Sequence, residues 1–179
     1  MTVLTGGRFA GTVCRAHNPR WSWSPLSGDG AAKHGGRFNP IGVPALYTSF
    51  KVTTALLEAS PLGRPFQPLT LVAYQVDAGP LFDGRDARQL SSLGFRPSDL
   101  ADPDWESLML DGQVPVQHRF VADVRAAGHV GVVVPSFAHG AGPGDANLVL
   151  WEWANTGAST VTVIDDEGRL PRDDTSWSS

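Results

Sequence analysis

Three polar side chains able to do chemistry, Arg37, Tyr47 and Glu58, fall inside one otherwise apolar and glycine-rich stretch, Gly35 to Ala59. An arginine and a glutamate in such surroundings, not at simple salt-bridge spacing along one helix, need a reason to be there other than neutralising each other. A nucleotide ligand supplies that reason. Arg15 and Arg37 each sit beside small residues that let a backbone or a ligand come close, and two guanidinium groups so placed suit a clamp on a pyrophosphate. Spacing alone keeps a plainer alternative ahead: each arginine is a surface charge or ties down its own loop.

Glu58 follows Ala55-Leu56-Leu57 near the end of an expected helix, where the macrodipole disfavours an acid. A placement that helix physics disfavours marks a candidate site. The alternative is simple exposure to water, at a cost of roughly a few tenths of a kcal/mol. Tyr47, on the preceding strand, lies eleven residues earlier (58 − 47), so strand and helix can bring ring and carboxylate to one cleft. A core tyrosine with its hydroxyl at the surface is the commoner arrangement. Ser136 ends a strand and has His139 nearby, which raises a serine-hydrolase reading, but no Gly-x-Ser-x-Gly elbow surrounds it. The five histidines show no metal-ligand spacing, and no metal is expected. Neither Gly-x-x-x-x-Gly-Lys nor Gly-x-Gly-x-x-Gly opens a helix after a strand, which removes support for triphosphate hydrolysis and for Rossmann-type hydride transfer.

The elements that position these residues are short. A strand is expected over 11–16, then a long loop over 17–36 with Trp21 and Trp23, a strand over 43–48, and a helix over about 51–60 capped by Ser49 and stopped by Pro61. A strand over 69–76 precedes an acidic, loopy region through Asp83, Asp86, Asp99, Asp102 and Asp104. The clearest helix runs over 115–127, with Val116, Phe120, Val121, Val124 and Ala127 on one face and Gly128 at its end. Strands over 130–134, 147–153 and 161–164 complete the chain, with a loose leader over 1–10 and a polar, frayed tail from Pro171. Strands outnumber helices and the helices do not follow every strand, so a doubly wound sheet is not expected. The pattern predicts an α+β domain with two small packed sheets and inserted helices, a single domain with its core at about 11–165.

Composition narrows the class. At 41% hydrophobic and 18% charged, the 179 residues lie in the globular range of one domain. The 14 basic against 18 acidic residues, net −4, leave no basic face for a phosphate backbone, so nucleic-acid binding is disfavoured. One cysteine, Cys14, excludes an internal disulfide and a cysteine-built zinc site, and fits a reducing compartment. No signal-peptide pattern and no run of membrane-spanning length stands in the sequence, and a cytoplasmic location is expected.

In order along the chain, Arg15, Gly-Gly-Arg-Phe-Asn-x-x-Gly, Ala-Leu-Tyr-Thr-Ser, Ala-Leu-Leu-Glu, a late Pro-Ser and Asn-Leu-Val-Leu resemble the RES domain family, the toxin half of bacterial toxin–antitoxin modules. The resemblance covers Val13 to Trp153 and is most specific over 35–59, with Phe38 where a tryptophan often follows the arginine. It implies a fold similar to ADP-ribosyltransferase toxins and an activity that consumes NAD as substrate, with no true cofactor. By this likeness Arg15 and Arg37 hold the pyrophosphate or ribose, Tyr47 packs against nicotinamide, and Glu58 is the catalytic acid. Ser136 helps fix the ribose and Asn147 joins the pocket. The toxin would cleave the nicotinamide–ribose bond with water or phosphate as acceptor, depleting NAD and arresting growth. Mono-ADP-ribosylation of a host protein and non-catalytic nucleotide binding are the alternatives. The resemblance also implies a helix-turn-helix, Xre-like antitoxin covering the active site, in a toxin–antitoxin hetero-oligomer, or a toxin homodimer.

Overall fold

Two nine-residue strands form the first part of the sheet. The computed structural model describes residues 4–60, 65–153 and 159–175. In β1 (Phe9–His17) and β3 (Thr70–Ala78), Val13, Val72, Tyr74 and Val76 point to one buried face, as a period of two requires. The two pair antiparallel along their full length, from Phe9 opposite Ala78 to His17 opposite Thr70. β1 therefore starts inside what reads from sequence as a loose leader. β7 (Thr160–Val163) adds to the far side of β3.

A second group of strands is buried on both faces. β5 (Gly131–Pro135) has β4 (Leu81–Asp83) parallel on one side and β6 (Ala146–Leu150) antiparallel on the other, and β6 pairs with β2 (Leu46–Ser49). Its run Val132-Val133-Val134 is uniformly apolar, the pattern of a strand covered on both sides. β2 and β1 meet at one pair only, Cys14 opposite Ser49, which joins everything into one seven-stranded sheet of order β4-β5-β6-β2-β1-β3-β7.

The two expected sheets are thus halves of one α+β sheet that folds over at that single junction. The fold-over is visible in the packing. Val13, Val72, Tyr74, Val76 and Val161 from one half form one core cluster with Leu46, Leu81, Val133, Leu148 and Leu150 from the other. Helices cover the outer face of the β4-β5-β6-β2 half, around Phe82, Val132, Val134, Val149 and Trp151. Phe120, wholly buried, sets its ring edge-on to Phe82 and Phe95 at 5.5 and 5.3 Å, contacts worth about 0.5–1.5 kcal/mol each beyond burial.

Phe120 belongs to α6 (Val116–Ala126), the helix expected over 115–127. Gly128, at φ 87°, takes the left-handed turn that ends it. Helix α2 (Val52–Glu58) starts later than expected and Ser49 does not cap it. The Ser49 hydroxyl is turned to Asn147 instead. Asp145 secures the first turn, its Oδ1 accepting from Lys51 Nζ and Thr54 Oγ1, both at 2.9 Å. Pro61, expected to stop this helix, lies outside the described residues.

The acidic region is not a plain loop. It holds α3 (Ala87–Ser92), α4 (Pro97–Ala101) and α5 (Trp105–Leu110). Its aspartates are turn and cap residues: Asp86 accepts from the Arg88 amide, Asp99 from the Arg96 amide and Asp102 from the Asp104 amide. Helices this short span too few turns to leave a periodic signature. The long 17–36 loop likewise contains a 3-10 turn, Pro19–Trp21, and α1 (Asp29–His34).

One buried group makes stability depend on pH. His17 is 9% exposed, its Nε2 has no hydrogen-bond partner, and burial, reinforced by the Arg15 charge, pushes its pKa down to about 4. Between pH 6.5 and 4 the unfolded chain binds a proton that the folded chain refuses, so stability rises with pH across that window and is lost as pH falls through it. Thermal unfolding should show the melting temperature dropping from pH 7 to pH 4.5. In His17→Leu that part of the slope should flatten; an unchanged slope would assign it to other groups.

Candidate active site

Asn147 is the register point on which the site is built. It stands opposite Ser49 of β2 on one side and Val134 of β5 on the other. Two residues past Val134 the chain reaches Ser136, whose amide continues the ladder by donating to Asp145 O at 2.9 Å. Helix α2, returning from the end of β2, brings its last residue, Glu58, over the same point. Glu58 Oε1 then accepts from Asn147 Nδ2 at 2.5 Å and from Ser136 Oγ at 2.6 Å. Ser49 Oγ donates to Asn147 Oδ1 at 2.7 Å, which fixes the amide with its NH2 toward the carboxylate. No described residue donates to Glu58 Oε2.

Glu58 is exposed rather than buried or half-buried. Water alone does not account for it, because two neutral donors converge on one of its oxygens. Tyr47 is held just as firmly. Its hydroxyl donates to Asn39 Oδ1 at 2.7 Å and accepts from the Phe38 amide at 3.0 Å, and burial raises its pKa, keeping the phenol protonated. Asn39, fully buried, is held in turn by the Ala31 and Val43 carbonyls. Gly36 is required here: a Cβ would stand 2.6 Å from Tyr47 Oη and 2.7 Å from Asn39 Oδ1.

Arg37 reaches the site from the loop that Gly36 allows. Its Nη1 donates to the carbonyls of Leu100 and Asp102 at 3.1 and 2.8 Å. The guanidinium lies 4.7 Å from the Phe137 ring centre and 5.7 Å from that of Trp105, cation–π distances. Burial lowers its pKa, while the charges of Glu58 and then Asp102 raise it. Two buried residues of α6 brace this arrangement, His118 Nε2 lying 2.8 Å from Gly36 O in the arginine loop and Gln117 donating to Asp102 O, the carbonyl that Arg37 also serves. His118 is therefore a buried structural residue.

Arg15 is placed differently. Its Nη1 donates to Ser27 O at 3.2 Å, and its pKa, lowered chiefly by burial, is raised by the Tyr74 hydroxyl and not by Glu58. Its residue borders the cleft, but its charge is directed toward the 17–36 loop. The two arginines do not form one bidentate clamp over Glu58.

Two cavities meet at these residues. A larger one, about 360 Å³, is bordered by Arg37, Tyr47, Glu58, Trp105, Phe137 and Asn147. A smaller one, about 210 Å³, is bordered by Arg15, Tyr47, Ser49, Glu58 and Asn147. Tyr47, Glu58 and Asn147 are common to both. Ser49 and Phe137 escape a reading by spacing, because only the pairing of β2 with β6 and the path of the chain after β5 bring them here. His139, considered only as a partner for a hydrolytic serine, lies on the wall of the larger cavity, and the Ser136 hydroxyl is given to Glu58 rather than to a histidine.

Among the described residues no group of His, Cys, Asp and Glu could hold a metal ion, and no helix is long and apolar enough to cross a membrane. Cys14 is a half-buried free thiol whose pKa is raised by burial.

Among solved structures, the chain is similar to the crystal structure of the M. tuberculosis MbcT–MbcA toxin–antitoxin complex, at 22% identity over 80% of this chain and 74% of that one, with a TM-score of 0.48. No curated protein matches the chain. A family model described as the RES domain matches residues 12–173, which takes in both cavities and every residue around Glu58. By that match, the chain belongs to the RES domain family.

Proposed function

We propose that this protein is a toxin that cleaves the nicotinamide–ribose bond of NAD. The observation that carries the reading is Glu58, held by Ser136 and Asn147 through Oε1 alone at the junction of two cavities. Among the described residues no donor reaches Oε2, which leaves it to accept from ribose hydroxyls. As the C1′–N bond lengthens, its electron pair passes to the pyridinium ring and neutralises it, while positive charge builds on the sugar. A fixed carboxylate stabilises that charge. The leaving nicotinamide is neutral and needs no strong acid, so one carboxylate suffices where ordinary glycosidases use two. Water or phosphate then bonds to C1′ and loses a proton to solvent.

Tyr47, locked at its hydroxyl, offers its ring to the nicotinamide, and Arg37 offers charge to the pyrophosphate from the larger cavity. Arg15, Ser136 and Asn147 complete the NAD contacts. The pool attacked would be cytoplasmic NAD, and the partner a helix-turn-helix antitoxin that covers the cleft, as expected for a toxin of this family.

The reading is tested by incubating purified protein with NAD, with and without phosphate and cell extract, and identifying products by mass spectrometry. Nicotinamide with ADP-ribose, or with a phosphorylated ADP-ribose, supports it. ADP-ribose attached to protein would make the chain a mono-ADP-ribosyltransferase, and intact NAD in every arm would refute cleavage.

Ser49 acts in this scheme by holding the Asn147 amide. Ser49→Ala should lower kcat about tenfold, the size of one buried hydrogen bond, with KM little changed and Ser49→Thr retaining most activity. A change in KM alone would assign Ser49 to packing.

A further inference from the structure

One turn of helix before Glu58, α2 makes a second side-chain bond to the chain that leads into β6. Thr54 lies four residues before Glu58 (58 − 54) and therefore on the same helix face, about 6 Å back along the axis. Asp145 lies two residues before Asn147 (147 − 145), and the Ser136 amide donating to Asp145 O continues the β5–β6 ladder to it. Two strand residues advance about 6.6 Å and share a face. The two spacings nearly match, so helix and strand meet through two parallel rungs. Thr54 Oγ1 donates to Asp145 Oδ1 at 2.9 Å, and Glu58 Oε1 accepts from Asn147 Nδ2 at 2.5 Å.

The rungs differ in their surroundings. Thr54 is wholly buried and Asp145 half-buried, whereas Glu58 is exposed. Neither Thr54 nor Asp145 borders the two cavities at Glu58. The Asp145 carboxylate is also fixed from the hairpin side, its Oδ2 accepting from the Gly142 amide at 2.8 Å. That amide first, then Lys51 and Thr54, push its pKa down to about 2, so it stays an acceptor through the neutral range. Ser136, the other donor to Glu58, stands on the same ladder as Asp145. The inner rung thus ties the helix that carries the carboxylate to the hairpin that carries both of its donors.

We infer that Thr54 and Asp145 are positioning residues for the reaction: their bond sets α2 against the β5–β6 hairpin and thereby aims the Glu58 carboxylate at the cleft. The kinetic side of this inference rests on the proposed function. The placement of Glu58 does not, and the Asn147 side-chain amide reports it without NAD.

The experiment measures kcat and KM for NAD, each below the melting temperature, in the full chain and in Thr54→Val, Thr54→Ser, Asp145→Ala and the Thr54→Val, Asp145→Ala double variant. In parallel, NMR follows the Asn147 side-chain NH2 resonances in the absence of NAD. Valine keeps the shape of threonine and removes only the donor, while Lys51 Nζ still serves Asp145 Oδ1. Thr54→Val should lower kcat about ten- to a hundredfold, the cost of misplacing a reacting group by about 1 Å or less, with KM little changed. Thr54→Ser should keep most of the wild-type kcat. The valine change should cost little more in the Asp145→Ala background, because both remove one bond. The Asn147 resonances should move in Thr54→Val and stay in Thr54→Ser. A lower melting temperature with wild-type kcat in Thr54→Val would make the pair a structural brace and overturn the inference. Equal losses in Thr54→Val and Thr54→Ser, or Asn147 resonances unmoved in Thr54→Val, would overturn it too. A wild type that leaves NAD intact would remove the cleavage reading, and the Asn147 resonances would then decide the positioning alone.

Discussion

Glu58→Gln is expected to reduce NAD cleavage about a thousandfold or more while leaving the fold intact. Glutamine keeps the shape and an oxygen that accepts from Ser136 Oγ and Asn147 Nδ2, so both local hydrogen bonds can persist. What it loses is the negative charge, and with it the stabilisation of a cationic sugar in the transition state. Loss of one preorganised electrostatic contact of this kind costs roughly 10²–10³ in rate, and here the whole formal charge is removed. Glu58 is exposed, and substitutions at exposed positions usually change stability by about 0.5 kcal/mol or less. Thermal melting should therefore superimpose on the wild type while nicotinamide release disappears. Near-normal turnover by this variant would end the assignment of Glu58 as the catalytic carboxylate.

Arg37 should show the other large effect, and it should appear in both stability and activity. Its Nη1 serves the Leu100 and Asp102 carbonyls, and its guanidinium lies at cation–π distance from both Phe137 and Trp105. In Arg37→Ala the Leu100 carbonyl loses that donor, whereas Asp102 O still receives Gln117 Nε2. A hydrogen bond from a charged group contributes about 1.5–3 kcal/mol, so a loss of about 2–3 kcal/mol is expected, or roughly 4–12 °C in melting temperature for a chain of this size. Arg37→Lys separates the two roles. The charge near Glu58 survives, but a compact ammonium lacks the planar guanidinium that reaches two aromatic rings at cation–π distance as well as the two carbonyls. Its kcat/KM for NAD should fall about a hundredfold, chiefly through KM, with a smaller melting shift than in Arg37→Ala. Equal activity in Arg37→Lys and wild type would show that Arg37 is a loop brace and nothing more.

The family match strengthens these expectations without replacing the geometry behind them. It spans residues 12–173 and so includes Arg15 on β1, the Gly36–Arg37 loop and the Ser136–Asn147 pair on the β5–β6 hairpin. The site joins three separate parts of the chain, and each is fixed by contacts away from the cleft. Asp145 holds the first turn of α2, α6 holds the arginine loop through His118 and the Asp102 turn through Gln117, and Asn39 holds Tyr47. Such bracing keeps the reacting groups in place before a ligand arrives.

Local pattern was enough for some of this. The apolar spacing of 116–127 marks α6, the strands expected over 11–16 and 69–76 fall within or largely within β1 and β3, and the sequence around Ala55-Leu56-Leu57-Glu58 places an acid at a helix end, where it is found. The short helices of the acidic region were not legible, since five or six residues make too little of a period, although Asp86 and Pro97 carry cap chemistry. The tertiary structure alone decided which polar groups meet. Glu58 lies 78 residues from Ser136 and 89 from Asn147, and no local propensity encodes strand order or register over such distances. It also decided that Arg15 and Arg37 part company: the sheet folds over at the single Cys14–Ser49 pair, and the fold leaves the Arg15 charge facing Ser27 and Tyr74, beside the tryptophan loop, while Arg37 alone is coupled to Glu58.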